Sequence, residues 1–479
     1  MKKNKIFALI SLSSLLVSCG ESNNINKLPD VNDPEYYNDI NKRVSYNEDI
    51  SNNIDEKFSN GVLDDNKWMT LDGVWHTDGT PHNGVQHRNL FYTKDNENNN
   101  LLAIKGRGLY STEDPLTIGK PEGGCIISKN HLTPGRYEIE MSPFQREGSV
   151  TAMWTYCTTT GNEATSQNEI DIEIGGAGQF EKLWCTSWTK KTNKETKDPD
   201  VSDILYMNDG KMHKFTFDWY TDYCDTGTRR IDWFIDGKYV YSIEGDVVPE
   251  YEMPLWVGVW FPPYWAGNPA FIEDYMLVKN IKFTAFDDSQ YFEDCRSEAG
   301  WTKLIPSQAN IQTLPYKTIK NVNKISNNSF ETLNPYDATS NDYYGWILDN
   351  ASKGSMELDN SIKSDGLSSI KLIAGKDSST AFHGQYLKQT ITCCYPSYEY
   401  DLSIDACKLD DGSEGNIEIY YRDSTAVKIS SQVIPVNNTG KLATYSQTLK
   451  VPSKASQIEI DITSENGTLY YDNASLILK

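Results

Sequence analysis

Glu169, Asp171 and Glu173 occupy alternate positions of the stretch NEIDIEIGG, with Ile170, Ile172 and Ile174 in the gaps. Strict polar/apolar alternation predicts a half-buried β-strand, on which residues i, i+2 and i+4 share one face. The isoleucines are therefore expected to enter a core and the three carboxyls to line the opposite face. Carboxylates about 7 Å apart repel by about 2 kcal/mol at an effective dielectric near 20, and no lysine or arginine interrupts the row. Such a row has three uses: a solvated strand face, a Ca2+ site built from carboxylate oxygens, or cleavage of a glycosidic bond. In that cleavage one carboxyl protonates the leaving oxygen while a second attacks or activates water. Cα atoms four residues apart on a flat strand are separated by about 13 Å, whereas a retaining pair works at about 5–5.5 Å. The catalytic use thus demands a bent strand with Glu169 and Glu173 leaning inward. Asp171 would lie between them and raise a neighbour's pKa by like-charge repulsion.

The elements that must hold this row are strands. From about residue 58 to 286 nearly every segment alternates, as in 101–105, 136–141, 149–156, 211–219 and 230–235. Asp236-Gly237 separates the runs RIDWFI and KYVYSI, a two-residue hairpin signal. Helical periodicity is missing, so the expected class is all-β, a two-sheet sandwich over 56–286. Periodicity weakens over 287–321, which reads as an interdomain linker with some ordered structure. A second β-rich domain follows over 322–479, alternating again at 398–404, 416–421 and 457–462.

The 479 residues suffice for two or three domains, each with its own core. A net charge of −22 argues against a nucleic-acid partner. The 12 tryptophans and 29 tyrosines supply rings for cores or stacking surfaces. Lys2, Lys3 and Lys5 precede an apolar run, 6–17, too short to span a bilayer, and Leu16-Val17-Ser18-Cys19 closes it. This pattern reads as an export signal (1–19) with Cys19 as a lipidated first residue of the mature chain. Acyl chains there would anchor it to a bacterial membrane, at the cell surface. The polar stretch 20–55 is expected to be a disordered tether. Setting Cys19 aside leaves eight of the nine cysteines without a CxxC metal pattern. Cys157 and Cys185 flank the acidic run, either as a cross-strand disulfide or as buried free thiols.

The order of segments GGCIISKNHLTPGRYEIEM (123–141), GSVTAMWTY (148–156), NEIDIEIGG (168–176), HKFTFDWY (213–220), RIDWFIDGKYVYS (230–242) and LWVGVWFPPYWAGNP (255–269) resembles glycoside hydrolase family 16. These are concanavalin-like jelly rolls that include lichenases, laminarinases and xyloglucan-active enzymes. The resemblance covers about half of the chain, and EIDIE matches the family's E-x-D-x-E motif. It implies Glu169 as nucleophile, Glu173 as general acid/base and Asp171 as assisting carboxylate, with no catalytic cofactor. It also implies sugar contacts at Trp260 and Trp265, where the family places cleft aromatics, and at Asn89 on an early strand. Trp154, Trp184 and Trp188 join them as candidates for stacking on sugar faces, the alternative for each being a packing role. Lichenases carry tryptophan where this chain has Gln167, and polar sugar contacts where it has Cys125 and Ile127, so the expected substrate is a β-linked glucan of unspecified linkage.

Segments such as SNNSFET (326–332), YYGWILDN (343–350), VPSKASQIEIDI (451–462) and GTLYYDNASL (467–476) resemble jelly-roll carbohydrate-binding modules of families 4, 9 and 22. That resemblance implies a second jelly roll in which Glu331 and Asp472 approach closely enough to share a structural Ca2+, or remain two solvated acids. It also offers Tyr343, Tyr344 and Trp346 as stacking residues, the alternative for Trp346 being a place in the core. The expected whole is a monomeric, lipid-anchored retaining endo-glycosidase acting on a polysaccharide. A non-catalytic glycan-capture lipoprotein, a transglycosylase, and a hydrolase of xyloglucan or galactan are the alternatives.

Overall fold

The computed structural model describes residues 51–479 apart from 74–83, 109–120, 145, 161, 177–182, 198, 200–208, 221–228, 263–264, 268, 287–292, 295–302, 306–310, 332–344, 349–353, 377–381, 393 and 424. Cys19, the apolar run before it, Tyr343 and Tyr344 lie outside the described residues. Among those described, helix is confined to short pieces such as Glu163–Ser166 and Tyr316–Lys320. None is long and apolar enough to cross a membrane.

The alternating segments form two antiparallel sandwiches, one after the other. In the first, an eight-stranded sheet runs Asn193–Lys197, Trp184–Lys190, Gln167–Gly175, Val150–Thr158, Leu255–Trp260, Gly124–Ser128, Trp68–Asp72 and Lys303–Ile305. Its nine-stranded partner centres on Gly135–Ser142 and Glu273–Ala285. Ile170, Ile172 and Ile174 are fully buried between the sheets with Ile139, Phe215, Phe217 and Trp233, as the alternation requires. Tyr137 stacks on Phe217 with centroids 4.4 Å apart. Asp236 and Gly237 both take positive φ, 50° and 78°, the twist-matched geometry of a two-residue hairpin between Arg230–Ile235 and Lys238–Glu244.

Strand pairing reaches into the end of the stretch read as a tether, and the linker carries the ordered structure expected of it. Ile54–Glu56, at the end of the stretch read as a tether, pairs antiparallel with Glu273–Ala285. Within the stretch read as a linker, Lys303–Ile305 extends one sheet and Gln312–Thr313 the other. Ile319 and Val322 then cover Leu101, Ala103, Tyr275 and Leu277 on the outer face of the nine-stranded sheet. Short polar strands of two or three residues carry too little alternation to be read, yet the sheet edge supplies their hydrogen bonds.

The second sandwich packs a sheet of Ile347–Leu348, Gln385–Ile391, Gln457–Ser464, Asn416–Arg422 and Lys428–Pro435 against one of Ser355–Asp359, Ser369–Ile373, Thr468–Leu478, Glu399–Lys408 and Ala443–Lys450. Its core includes Ile417, Ile419, Ile458, Ile460, Ile462, Tyr400 and Trp346. Trp346 is a core residue and not a stacking platform: it is buried, and its indole N–H donates to the Ser326 and Asn327 carbonyls at 3.1 and 3.2 Å.

Candidate active site on the acid strand

Gln167–Gly175 sits between two strands that supply the walls of the site. On one side Tyr156, Trp154 and Ala152 stand opposite Glu169, Asp171 and Glu173. On the other side Trp188, Thr186 and Trp184 do. Since opposed residues on neighbouring strands share a face, the three acids emerge among three tryptophans and a tyrosine. Trp260 from Leu255–Trp260 joins them, its indole donating a hydrogen bond to Glu173.

The three carboxyls have separate environments. Asp171 is only 4% exposed; its Oδ2 accepts a 3.2 Å hydrogen bond from the Trp188 indole, and its backbone carbonyl accepts one from Trp233 at 3.0 Å. Burial, then the charges of Glu169 and Glu173, push its pKa well above the ordinary aspartate value, against the weaker opposing effect of the Trp188 N–H. Burial and the two like charges thus favour the protonated form of Asp171, and a side-chain hydrogen bond joins it to Glu169. Glu169 also accepts from the Gln167 amide, the residue that stands where lichenases carry tryptophan. Glu173 is pushed up to about 7 by burial, with Trp260 and the Lys194 charge pulling the other way. One acid is thus poised to give a proton near neutrality, while a neighbouring carboxylate is held by donors, the division that acid/base chemistry needs.

The other sequence candidates separate into two groups. Trp184, Trp188 and Trp260 are half-buried around the acids, and Trp265 is 45% exposed, edge-on to Trp184 at 4.5 Å and to Trp260 at 5.9 Å. These four can present ring faces to a ligand. Trp154 cannot do so freely: it is 8% exposed and stacked on Trp256 at 5.6 Å, forming floor beneath the site. Asn89 differs from expectation as well. It is 1% exposed, and its amide donates to Glu122 (3.1 Å) and to the Gly123 carbonyl (2.8 Å), bracing an acid that Arg88 also grips through two nitrogens. Its N–H groups serve the fold here, and Arg88 beside it is tied to Glu122.

Sequence reading missed Gln167 as a partner of Glu169, and Lys194, whose ammonium lies 4.5 Å from the Trp188 ring centroid. Lys194 pairs in register with Trp188, so the signal was strand pairing, which composition does not carry. Cys185 is a buried free thiol while Cys157 is disulfide-bonded, so these two do not pair with each other. Cys125 and Ile127, the departures from the lichenase pattern, are both buried.

The Ca2+ expectation is also corrected. Glu331 and Asp472 do converge on one loop, but their oxygens accept N–H groups. Glu331 takes the backbone amides of Leu367 and Ser368 at 2.7 and 2.8 Å, and Asp472 those of Ser364 and Asp365 at 2.7 and 2.9 Å. Donors aimed at both carboxylates make an anion-holding loop, the reverse of a cation cage. Among the described residues no group of three or more His, Cys, Asp or Glu side chains could hold a metal.

The family model described as glycosyl hydrolases family 16 matches residues 89–275, which contain the acid strand and all four exposed or half-buried tryptophans. Over those residues the chain is similar to glycosyl hydrolases family 16. A xylanase/beta-glucanase of Ruminococcus flavefaciens is 28% identical over 125 residues, covering 26% of this chain and 14% of that one. A beta-glucanase of Bacillus licheniformis is 23% identical over 177 residues, covering 37% of this chain and 67% of that one. The chain thus spans between one seventh and two thirds of the length of these two relatives. Among solved structures, the laminarinase catalytic domain of Thermotoga maritima is 18% identical, with 48% of this chain and 96% of that one covered at a TM-score of 0.40. The match lies within the first sandwich and leaves the second outside it.

Proposed function

We propose that the chain is a retaining endo-glycosidase that hydrolyses a β-linked glucan, of the β-1,3/1,4 type, outside the cell. The observation that carries this reading is the shared face of the acid row and its unequal surroundings: Asp171 hydrogen-bonded to Glu169, and Glu173 buried beside Trp260 and pushed up to about 7. In the first step the Glu169 carboxylate attacks the anomeric carbon as Glu173 passes its proton to the departing glycosidic oxygen. The glycosidic C–O bond breaks and a glycosyl ester forms on Glu169. Glu173, now ionised, takes a proton from water, whose oxygen attacks the same carbon and releases Glu169. Asp171, whose protonated form is favoured by burial, is placed to donate to Glu169 and to disperse the charge that returns to it. Trp184, Trp260 and Trp265 line the Glu173 end, where the leaving sugar departs, and Trp188 flanks Glu169.

On this reading Cys19 carries the lipid that fixes the enzyme to the membrane, and the second sandwich is a glycan-binding companion. The test is incubation with mixed-linkage glucan, laminarin, xyloglucan and a galactan, reading new reducing ends and the anomeric proton of the first product. Reducing ends from one of the glucans, with the β-anomer formed first, fit the proposal. Binding without new reducing ends would replace it with glycan capture, and first-formed α-anomer with an inverting mechanism.

A further inference from the structure

The second sandwich reaches the first through a buried ionic junction. Asp274, on Glu273–Ala285, accepts from Lys324 Nζ at 2.6 Å and from Arg146 Nη1 at 3.3 Å, and Arg146 Nη2 donates to the Lys324 carbonyl at 2.9 Å. All three side chains are buried. Burial alone would raise the Asp274 pKa, but the Lys324 and Arg146 charges outweigh it and lower it. Lys324 belongs to the second sandwich by its backbone: its N–H bonds the Leu476 carbonyl, and Asn323 beside it bonds Leu476 and Ala474 of the last strand. A second contact lies nearby, where an added Cβ on Gly345 would meet Ser326 at 2.9 Å and the Ala270 Cβ at 3.2 Å.

Arg146 leads from that junction to the rim of the site. Its carbonyl accepts the Ser149 N–H and hydroxyl, and a Cβ on Gly176 would lie 1.8 Å from it, so only glycine fits where the acid strand ends. Gly176 N–H in turn bonds the Ser149 carbonyl. Gly148, at φ 86°, donates to the Ala266 carbonyl and packs on Pro269, and Glu147 packs beneath Gly267. Residues 146–149 thus support the loop that presents Trp265, the exposed indole touching Trp184 and Trp260.

We infer that Arg146 is a positioning residue through which the second sandwich, gripping by Lys324, holds the tryptophan-bearing rim at the Glu173 end of the cleft. Two cations on one buried carboxylate leave Asp274 paired when either is removed, so single variants keep a compensated interior. The consequence for catalysis rests on the glycosidase reading above; the mechanical coupling does not.

The experiment is amide hydrogen exchange across residues 146–149, 176 and 265–267 in the full chain, comparing wild type with Lys324→Met and Arg146→Met. Exchange there is expected to quicken by about tenfold in Arg146→Met and by a smaller factor in Lys324→Met, with Lys324→Arg restoring the wild-type rate. Amides of 167–174 should stay protected. Lys324→Met lies outside the loop, so its effect reaches the rim only across the junction. In turnover assays, both variants should raise KM for polymer with kcat and the pH profile unchanged. Unaltered exchange at 146–149 and 265–267 in Lys324→Met, or equal loss of protection along 167–174, would overturn the inference. If Arg146→Met does not fold, Arg146→Lys keeps a cation on Asp274 while losing the fork to the Lys324 carbonyl, and is read by the same amides. A wild type without glycosidase activity would remove the proposed function and leave the exchange result to judge the coupling.

Discussion

The chain contains the sequence EIDI twice, on Gln167–Gly175 as NEIDIEI and on Gln457–Ser464 as QIEIDIT. In both strands the isoleucines are fully buried in a sandwich core and the acids face the other way. In both, burial raises the central aspartate: Asp171 well above its ordinary value, and Asp461 to about 7. The neighbours differ. Glu459 is bound by the Arg422 guanidinium at 2.5 Å from the adjoining strand, and Lys388 stands directly opposite Asp461 and lowers its pKa. On the first strand Glu169 accepts from a glutamine amide and Asp171 from an indole, both neutral, and the Lys194 charge acts on Glu173 from one strand further out. What sets the candidate active site apart is the aromatic N–H groups that neighbouring strands aim at its carboxyls. The strand's own residues do not decide it.

The largest break in this comparison comes from the nucleophile: Glu169→Gln should cost roughly four orders of magnitude in kcat while leaving the fold intact. Replacing the proton donor is next. Glu173→Gln should lose about 10²–10⁴-fold. In the wild type, the acid form of Glu173 empties as pH rises through about 7. Activity should therefore fall on the alkaline side of neutrality, and a rate that stays flat to pH 9 would contradict the role. Trp188→Phe, which deletes the N–H held by Asp171, should lower kcat/KM by roughly tenfold at most, the worth of one hydrogen bond to a carboxyl. The smallest effect sharpens the comparison from the other strand. Asp461 titrates higher in the folded chain than the ordinary aspartate value, 3.8, so the native state binds more protons between about pH 4 and 7. Its stability contribution is present at low pH and is lost as pH rises through that window. Asp461→Asn should then raise Tm at pH 8 relative to wild type and leave it nearly unchanged at pH 4; equal shifts at both would contradict the raised pKa.

Much of the fold could be read from alternation, because strand faces are a local property. The three isoleucines, the Asp236-Gly237 hairpin and both sandwiches follow from it. What could not be read is who stands beside whom. Arg422 is 37 residues from Glu459, Lys194 meets Trp188 only across a hairpin, and Asn89 finds Glu122 across 33 positions. The Glu331–Asp472 pair shows the same limit: convergence was foreseen, but the backbone amides that fill their oxygens have no side-chain signature. For Trp346 and Trp154 the choice between stacking and packing stayed open in the sequence, because burial of a tryptophan is set by the opposite sheet or by a neighbour such as Trp256.

The account rests most directly on the claim that one of two similar strands is catalytic because of its neighbours. Rates of reducing-end release by Glu169→Gln and Glu459→Gln, measured side by side on the preferred glucan, test it. The expected result is near-complete loss in the first and wild-type turnover in the second. Retained turnover in Glu169→Gln, or equal losses in both, would contradict it.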